Sequence, residues 1–447
     1  MLTLECFPTN CAEKTYCAQL LLGEILGFPY RISWTGRPGA YRLLTPEGAV
    51  LSMADVFFRD EMPPERLYTR ARLPALAHPS LSEAPPPPVL YGDFYLKKGV
   101  REWETGADWL ASAFFMASRW EEYAVAERDV WGRFPAECAA AVKAGFVERP
   151  VVHEYADWIA RALAALGYRR PPLRRPFERV WSCDVDCPRL WTRPADRLRT
   201  LAGSLWRRKG LRECAAWLAG PLWRRQDPYD VFGAWMAMAD SLELRLQFNI
   251  LQPGPSDACQ FDIAAADFQQ LLRLMAEGGH AIGFHPSREA AADKALFGAE
   301  LERLRALSPA AIASGRHHYL LFEAPFTWRN WSEHGLRAEA SLGYAERPGF
   351  RSGMCREYPT FDFLARRPLP LLAQPLVAMD VSYARYRGDT PDAARTHLRK
   401  LREQCELHGG QFTVLWHNSS WQTPFWSPWQ PVLYAALANQ SEGLKSA

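Results

Sequence analysis

The pattern of apolar and polar residues changes near the middle of the chain. The first part contains a short run with strand character at 31–36 and two long stretches with helical spacing, at 105–124 and 154–166. Apolar residues that recur every three or four positions predict amphipathic helices, whereas short β-rich runs bounded by turn residues predict strands. We therefore predict a mixed α+β N-terminal domain over residues 1–175.

A basic, proline-containing segment at 168–176 separates this first part from the second. Strand-like apolar runs then alternate with helical stretches, and these runs lie at 179–185, 244–251, 280–285, 317–323, 375–381 and 412–418. Such alternation indicates parallel βαβ units, in which functional residues collect at the carboxyl ends of the strands. The sequence therefore predicts a layered α/β sheet or a barrel over residues 176–447.

Residues 189–225 interrupt the alternation. They contain ten Arg or Lys, only two acids (Asp196 and Glu213), and four tryptophans. A basic, Trp-bearing amphipathic stretch can lie on an anionic membrane surface or bind an anionic polymer. It can also be a solvated helical insertion that packs its tryptophans on the body of the protein, which is the interpretation that we favour.

The amino-acid composition and net charge indicate which classes of protein the chain can belong to. The chain has 447 residues with 48% apolar and 23% charged residues, values typical of a globular protein of two or three domains. Its net charge of +3 is too small to indicate nucleic-acid binding. It contains no apolar run long enough to span a bilayer and no recognisable secretory signal, so we expect a cytoplasmic location. The ten cysteines lack a repeated spacing, so we expect reduced thiols, with Cys183 and Cys187 as packing residues.

Two acids, Asp184 and Asp186, stand at the end of the run at 179–185. Side chains alternate along a strand, so both carboxylates are expected to point to the same side. A pair of this kind can hold a divalent metal ion, or it can divide into a base and a metal ligand.

Other polar residues stand at the ends of predicted strands in the same half of the chain. His285 closes the run at 280–285, Arg316 and His318 stand at the head of a later run, and His417 follows the last one. A catalytic metal needs about three ligands from different elements and an open position for water. Separate strand ends with ligand side chains therefore favour a metal site.

The ligand types indicate which metal would bind. Asp186 and His285 suit zinc or a similar transition ion, because carboxylate and imidazole both bind it. Glu289 follows His285 by four residues and would face the same way if a helix begins there. His318 is the rival third ligand, and the sequence leaves this choice open.

The remaining polar residues suit proton transfer. A metal held in this way activates water and polarises a carbonyl. Asp184 could take the proton of the water, and His417 could protonate a leaving amine. Arg316 could keep Asp184 ionised by pairing with it.

These motifs resemble those of polysaccharide deacetylases of the NodB-homology type, also called carbohydrate esterase family 4. The segment GHAIGFH at 279–285 is similar to the GHEIGxH signature of that family. The Asp-Val-Asp segment resembles the acid pair that ends its first strand, and LWHN at 415–418 resembles its closing motif. The resemblance implies a distorted (β/α) barrel of the deacetylase type. The roles that it implies are Asp184 as base, Asp186 and His285 as metal ligands, Arg316 as partner of the base, and His417 as general acid.

The resemblance extends into the first domain. At two positions the sequence differs from the motifs of the family. Segments 112–123 and 131–135 resemble the N-terminal domain of a bacterial deacetylase-like subgroup. Glu289 stands where the family has its second metal histidine. The motif RHHYL replaces the family's RPPYG-like motif and introduces His318. The third metal ligand is therefore Glu289 or His318.

We expect a metal-dependent hydrolase of C–N amide bonds that uses a divalent ion, zinc by preference. It would remove acetyl groups from an N-acetylated saccharide in envelope or exopolysaccharide synthesis. The saccharide would be linked to a lipid or nucleotide carrier, and the basic segment would allow peripheral membrane contact. One alternative is a glycosyltransferase whose Asp-x-Asp motif binds a metal and a nucleotide sugar. Another is a non-catalytic carbohydrate-binding protein on a degenerate deacetylase scaffold.

Overall fold

The computed structural model describes residues 1–75, 87–206, 210–224 and 226–439. It contains two β-sheets, one from each part of the chain. A continuous cluster of buried apolar side chains includes residues from both parts.

The first sheet mixes parallel and antiparallel pairs in the order β2-β1-β3-β4-β6-β5. Its strands are β1 (Leu2–Glu5), β2 (Tyr30–Ser33), β3 (Ala40–Leu44), β4 (Val50–Ala54), β5 (Gly92–Lys98) and β6 (Glu102–Ala107). The helices of this part are α1 (Cys11–Ala18), α2 (Pro64–Leu67), α3 (Trp109–Ser118), α4 (Trp120–Ala124), α5 (Ala140–Lys143) and α6 (Val151–Ala165). The stretch predicted as one helix at 105–124 instead begins in β6, which ends at Ala107, and continues as two helices, because Arg119 between them has a φ of 56°.

The second sheet has the order β12-β13-β11-β10-β9-β8-β7-β15-β14. All its neighbouring strands run parallel except the antiparallel edge pair β12 and β13. The strands are β7 (Glu178–Val185), β8 (Leu246–Leu251), β9 (Ala281–His285), β10 (Ser314–Gly315), β11 (Ala338–Glu339), β12 (Tyr358–Asp362), β13 (Arg367–Ala373), β14 (Ala378–Met379) and β15 (Gln411–Leu415).

Helices connect many of these strands. They are α7 (Ala195–Trp206), α8 (Gly210–Ala219), α9 (Phe232–Ser241), α10 (Ala266–Glu277), α11 (Lys294–Leu307), α12 (Phe326–Glu333), α13 (Pro391–Leu407) and α14 (Gln430–Leu437). None of the helices in the described ranges is both long and apolar enough to cross a bilayer.

The α/β class agrees with the prediction, but the barrel is not confirmed. Within the described residues, no strand pairing joins the edge strands β12 and β14, so the second sheet stays open. Its parallel strands still bring their carboxyl ends to one edge, which is where functional groups gather in open sheets as well as in barrels.

The predicted strand at 317–323 is wrong. The strand here is β10, which ends at Gly315, and a 3₁₀ turn follows at His318–Leu320. Tyr319 and Leu320 have φ values of 61° and 56°, which an extended strand does not allow. Arg316 and His318 therefore follow the carboxyl end of a strand instead of beginning one.

A buried ion cluster joins the two parts of the chain. Glu122 of α4 accepts hydrogen bonds from Arg351 at 2.9 and 2.6 Å and from Arg119 at 2.9 Å. All three side chains are almost fully buried. Arg119 also contacts Glu121 and the hydroxyl of Tyr344. The N-terminal part is thus fixed to the second sheet by paired charges as well as by apolar packing.

Candidate metal centre

The carboxyl ends of neighbouring strands place a set of polar side chains along one edge of the second sheet. Its order, β10-β9-β8-β7-β15-β14, places the ends of these strands next to each other. Three of these side chains belong to strands: Asp184 to β7, Asn249 to β8 and His285 to β9. The others follow strands: Asp186 after β7, Arg316 after β10, Asp380 after β14 and His417 after β15.

A compact group of potential metal ligands lies at this edge. One ligand atom each from Asp186, His285 and His318 lies within 4.8 Å of the others. His285 Nε2 lies 3.2 Å, and His318 Nε2 3.7 Å, from Asp186 Oδ1. Asp186 Oδ1 and His285 Nε2 are buried, and although they lie close together neither makes a well-aligned hydrogen bond with the other or with any other described group. Buried polar atoms normally have partners, so this donor set fits a divalent metal ion.

The second ring nitrogen of each histidine, the one away from Asp186, lies near an oxygen atom that can orient the ring. His285 Nδ1 lies 2.6 Å from the carbonyl oxygen of Arg316, which favours a proton on Nδ1 and leaves Nε2 free for a metal. His318 Nδ1 lies 3.0 Å from Asp257 Oδ1, so a carboxylate stands behind this imidazole too. Carbonyl and carboxylate partners of this kind typically orient metal-binding histidines.

Asp184 lies beside the group but is held by different partners. Arg316 donates to Asp184 Oδ1 at 2.8 Å, and the amide of Asn249 donates to the same oxygen at 2.7 Å. Burial alone would raise the pKa of Asp184, but the Arg316 guanidinium together with the His285 and His417 imidazoles lowers the pKa below its usual value. Asp184 is therefore an ionised carboxylate at neutral pH, with its second oxygen 4.0 Å from His285 Nε2.

His417 lies beside Asp186 Oδ2, whereas His285 and His318 lie beside Asp186 Oδ1. Its Nε2 lies 3.8 Å from Asp186 Oδ2, and its Nδ1 lies 2.8 Å from Asp380 Oδ1. The backbone N–H of His417 donates to the other oxygen of Asp380 at 2.9 Å. Burial alone would lower the pKa of His417, but the Asp380 carboxylate and the nearby acids raise it to about 10. The structure thus places a protonated imidazole across from an ionised carboxylate.

Glu289 does not join the ligand group within the described residues. Its Oε1 accepts a hydrogen bond from the backbone N–H of Ser256 at 3.2 Å. The geometric argument for Glu289 assumed an α-helix after His285, but Glu289–Ala291 is a short 3₁₀ turn. The i, i+4 relation that would place both side chains on one face therefore does not apply.

The expectation that Cys187 is a reduced thiol is wrong. Cys187 forms a disulfide with Cys259, whereas Cys183 is a buried free thiol, as expected. The two paired cysteines are 72 residues apart in sequence, but they follow the adjacent strands β7 and β8. Sequence spacing carries no information on such a pairing, because the sheet brings the two segments together.

Three polar residues of the site were not predicted from the sequence. Asn249 is a polar residue within an apolar strand, and Asp380 directly follows an apolar strand, so the sequence pattern could have identified both as candidate site residues. Asp257 lies in an irregular loop and carried none. Its position behind His318 is decided only by the fold.

The adjacent histidines of the 316–320 motif have different surroundings. His317 is buried and accepts a hydrogen bond from the indole N–H of Trp331 at 2.8 Å. Burial, and secondarily the charge of His285, lowers the pKa of His317 to about 3. His317 is therefore a neutral packing residue, and His318 alone of this pair faces Asp186.

A cavity of about 370 Å³ opens in front of these groups. Asp184, Asp186, His285, His318 and His417 line it, together with Tyr319, Tyr386, Arg385 and Arg133. Arg133 belongs to the N-terminal part of the chain, as does Trp131, which stacks on Tyr319 at 4.9 Å with an angle of 11° between the rings. Both parts of the chain therefore form the surroundings of the site.

Comparisons with known proteins give limited information. The model of a family described as a family of unknown function (DUF7033) matches residues 3–167. No curated protein matches the chain. A crystal structure of a candidate polysaccharide deacetylase from Mycobacterium smegmatis is similar over 60% of this chain and 85% of that one, with 14% identity and a TM-score of 0.36. These likenesses are too partial or too distant to assign the chain to a family, so the function has to be argued from the site.

Proposed function

We propose that the protein is a metal-dependent hydrolase of C–N amide bonds that removes acetyl groups from an N-acetylated saccharide. The observation that supports this best is the unequal arrangement of Asp184 and Asp186. Asp186 lies among two histidines with an unpartnered oxygen, whereas Asp184 is held by Arg316 and Asn249. Metal-dependent hydrolysis of an amide uses both a metal ligand and a base, and the two acids match these roles.

The ligands would be Asp186, His285 and His318. A divalent ion bound there, zinc by preference, supplies a water of lowered pKa and polarises the acyl carbonyl. Asp184 accepts the proton of the attacking water, because Arg316 keeps this carboxylate ionised. His417, which Asp380 keeps protonated, gives its proton to the leaving amine nitrogen. The accepting group therefore lies beside His285 and the donating group beside Asp186 Oδ2.

Three features support a saccharide as the substrate. The cavity of about 370 Å³ has the size of a small-ligand site. Tyr319 lines it, stacked between the rings of His318 and Trp131, and the partly exposed Trp131 offers an aromatic surface beside the cavity for contact with a sugar ring. The motifs at 279–285 and 415–418 resemble those of polysaccharide deacetylases.

The glycosyltransferase alternative fits the geometry less well. An Asp-x-Asp motif that binds a metal and a nucleotide diphosphate uses its acids as ligands. Here one oxygen of Asp184 is occupied by Arg316 and Asn249, and that alternative gives no role to the protonated His417. No observation favours it.

Metal analysis and acetate release test the proposal together. We expect the purified chain to bind one zinc per molecule and to release acetate from N-acetylglucosamine oligosaccharides. Asp186→Ala should lose both properties, whereas Asp184→Asn should keep the metal and lose turnover. Absence of stoichiometric metal together with no acetate release would refute the hydrolase and favour the non-catalytic alternative. Acetate release that is unaffected by Asp186→Ala would show that the reaction does not use this site.

The third ligand is tested by a matched pair of substitutions. We expect His318→Ala to lower the bound metal and Glu289→Ala to leave it unchanged, because only His318 lies in the ligand group. Metal content after dialysis against a weak chelator measures the difference. The reverse pattern would show that Glu289 completes the site, and unchanged binding in both variants would refute the coordination proposed here.

A further inference from the structure

Helices α7 and α8 form a hairpin that carries exposed apolar side chains. Leu198 and Leu211 are 71% and 78% exposed, and Trp206 and Trp223 are 90% and 78% exposed. No other tryptophan in the described part of the chain is as exposed as these two. An isolated exposed apolar residue is ordinary, but several on one hairpin indicate an interaction surface.

The exposed leucines lie on the outer faces of their helices. Leu198 and Leu205 are seven residues apart on α7, and Leu211 and Leu218 are seven apart on α8, so each pair shares one helix face. All four are exposed. The inner side is packed instead, since Trp191 and Trp217 are buried and their rings lie 5.9 Å apart.

The hairpin is also strongly basic. Its segment, 189–225, has ten basic residues and two acids, a formal charge of +8. Asp196 pairs with Arg199 within the helix, whereas Arg193, Arg212 and Arg224 make no ion pair with any described residue. Residues 207–209 and 225, which contribute four of the ten charges, lie outside the described residues. Cationic side chains next to exposed Leu and Trp match the composition of helices that bind anionic membrane surfaces.

The hairpin adjoins the mouth of the candidate metal centre. A second cavity, of about 480 Å³, lies between the hairpin and the loop after β15. Arg199, Ser204 and Trp217 line it from the hairpin, and Arg385 and Ser419 line both this cavity and the one at the metal centre. The inner side of the hairpin therefore adjoins the entrance of the site, and a surface on its outer faces would lie about one helix diameter, roughly 10 Å, farther out.

We infer that the α7–α8 hairpin docks the protein on an anionic lipid bilayer. The exposed leucines and tryptophans enter the interfacial region, and the arginines contact lipid headgroups. Docking places the entrance of the site near the bilayer surface, where a saccharide on a lipid anchor would be presented; this last step rests on the proposed function. The apolar side chains distinguish a bilayer from an anionic polymer, which the arginines alone would bind.

Vesicle co-sedimentation of the full chain tests the docking. We expect binding to phosphatidylcholine vesicles that contain about one third phosphatidylserine, and much weaker binding without the anionic lipid. The double variant Leu198→Ser/Leu211→Ser should bind at least about tenfold less. The control Leu407→Ser should bind like the unmodified chain, because Leu407 is 70% exposed but lies on α13, outside the hairpin.

Arg212→Glu gives a second test that preserves the leucines, and it should also weaken binding. Circular dichroism confirms that each variant is folded. Failure of the unmodified chain to bind anionic vesicles, or equal binding by the leucine variant, would overturn the proposal. Binding to dextran sulfate that is unaffected by the leucine changes, without vesicle binding, would identify a polymer surface instead. Vesicle binding requires neither metal nor turnover, so the result is independent of the proposed hydrolase activity.

Discussion

The buried cluster around Glu122 gives a quantitative prediction about how the two parts of the chain are held together. Glu122 pairs with Arg119 and Arg351, and Glu121 contributes the second negative charge. Substitution Glu122→Gln removes one of two buried carboxylates and leaves two buried guanidinium groups facing one carboxylate. The amide of glutamine also directs N–H donors toward groups that are themselves donors.

The expected loss of stability is large. Removing one partner of a buried ion pair typically costs about 3–5 kcal/mol, because the remaining charge is left without compensation. Loss of a half-exposed pair costs less than about 1 kcal/mol. Glu5→Gln is the matched control, because Glu5 pairs with Arg42 at 2.9 Å on the partly exposed face of the first sheet.

Urea denaturation followed by tryptophan fluorescence measures the difference in the free energy of unfolding. With a slope of about 5 kcal/mol per molar urea for a chain of 447 residues, Glu122→Gln should lower the midpoint by roughly 0.6–1 M. Glu5→Gln should move it by no more than about 0.3 M. A midpoint for Glu122→Gln close to that of the control would refute the reasoning and show that the buried charges are compensated in another way.

Three further predictions concern the site and the second sheet. Asp257→Asn should lower zinc affinity about 10–100-fold, since it weakens the carboxylate behind His318, and competition with a chromogenic chelator measures this change. Burial raises the pKa of Glu339 to about 7. Between about pH 4 and 7 the Glu339 carboxyl is therefore protonated in the folded protein and ionised in the unfolded chain. The free energy of unfolding should fall as the pH rises through this range. Glu339→Gln should flatten that part of the curve of unfolding free energy against pH, and an unchanged slope would show that another group causes it. Reduction of the Cys187–Cys259 disulfide, which closes a 72-residue separation, should lower the free energy of unfolding by about 2–5 kcal/mol, as measured by denaturation with and without dithiothreitol.

Several elements could be predicted from the sequence because their signals are local. The apolar run at 179–185 lies in β7, and most of the helical stretch at 154–166 lies in α6, since pattern and propensity are properties of consecutive residues. The acid pair, His285 and His417 could be singled out because chemically suitable residues ended such runs. The parallel arrangement followed from the alternation of strands and helices, and it explains why the ends of these strands meet.

Other features depended on contacts between distant segments. The ligand group includes His318 and not Glu289, because β10 is short and a 3₁₀ turn replaces the strand that the sequence predicted. Whether the second sheet closes is decided by its edge strands, which no local pattern describes. The Cys187–Cys259 disulfide depends on the pairing of β7 with β8, and the contact of Asp257 with His318 depends on the position of the turn after β10.

The sequence by itself determined the types of the main elements, the candidate base Asp184 and the candidate ligands Asp186 and His285. The sequence also predicted that Arg316 pairs with Asp184, as observed. Tertiary structure decided the other partners, Asn249 on Asp184 and Asp380 on His417, and the exposed apolar face of the basic hairpin. The physical reason is that residue type and periodicity specify which groups a segment carries. Distances between segments, burial and the resulting shifts in pKa depend on how strands far apart in sequence are ordered in the sheet.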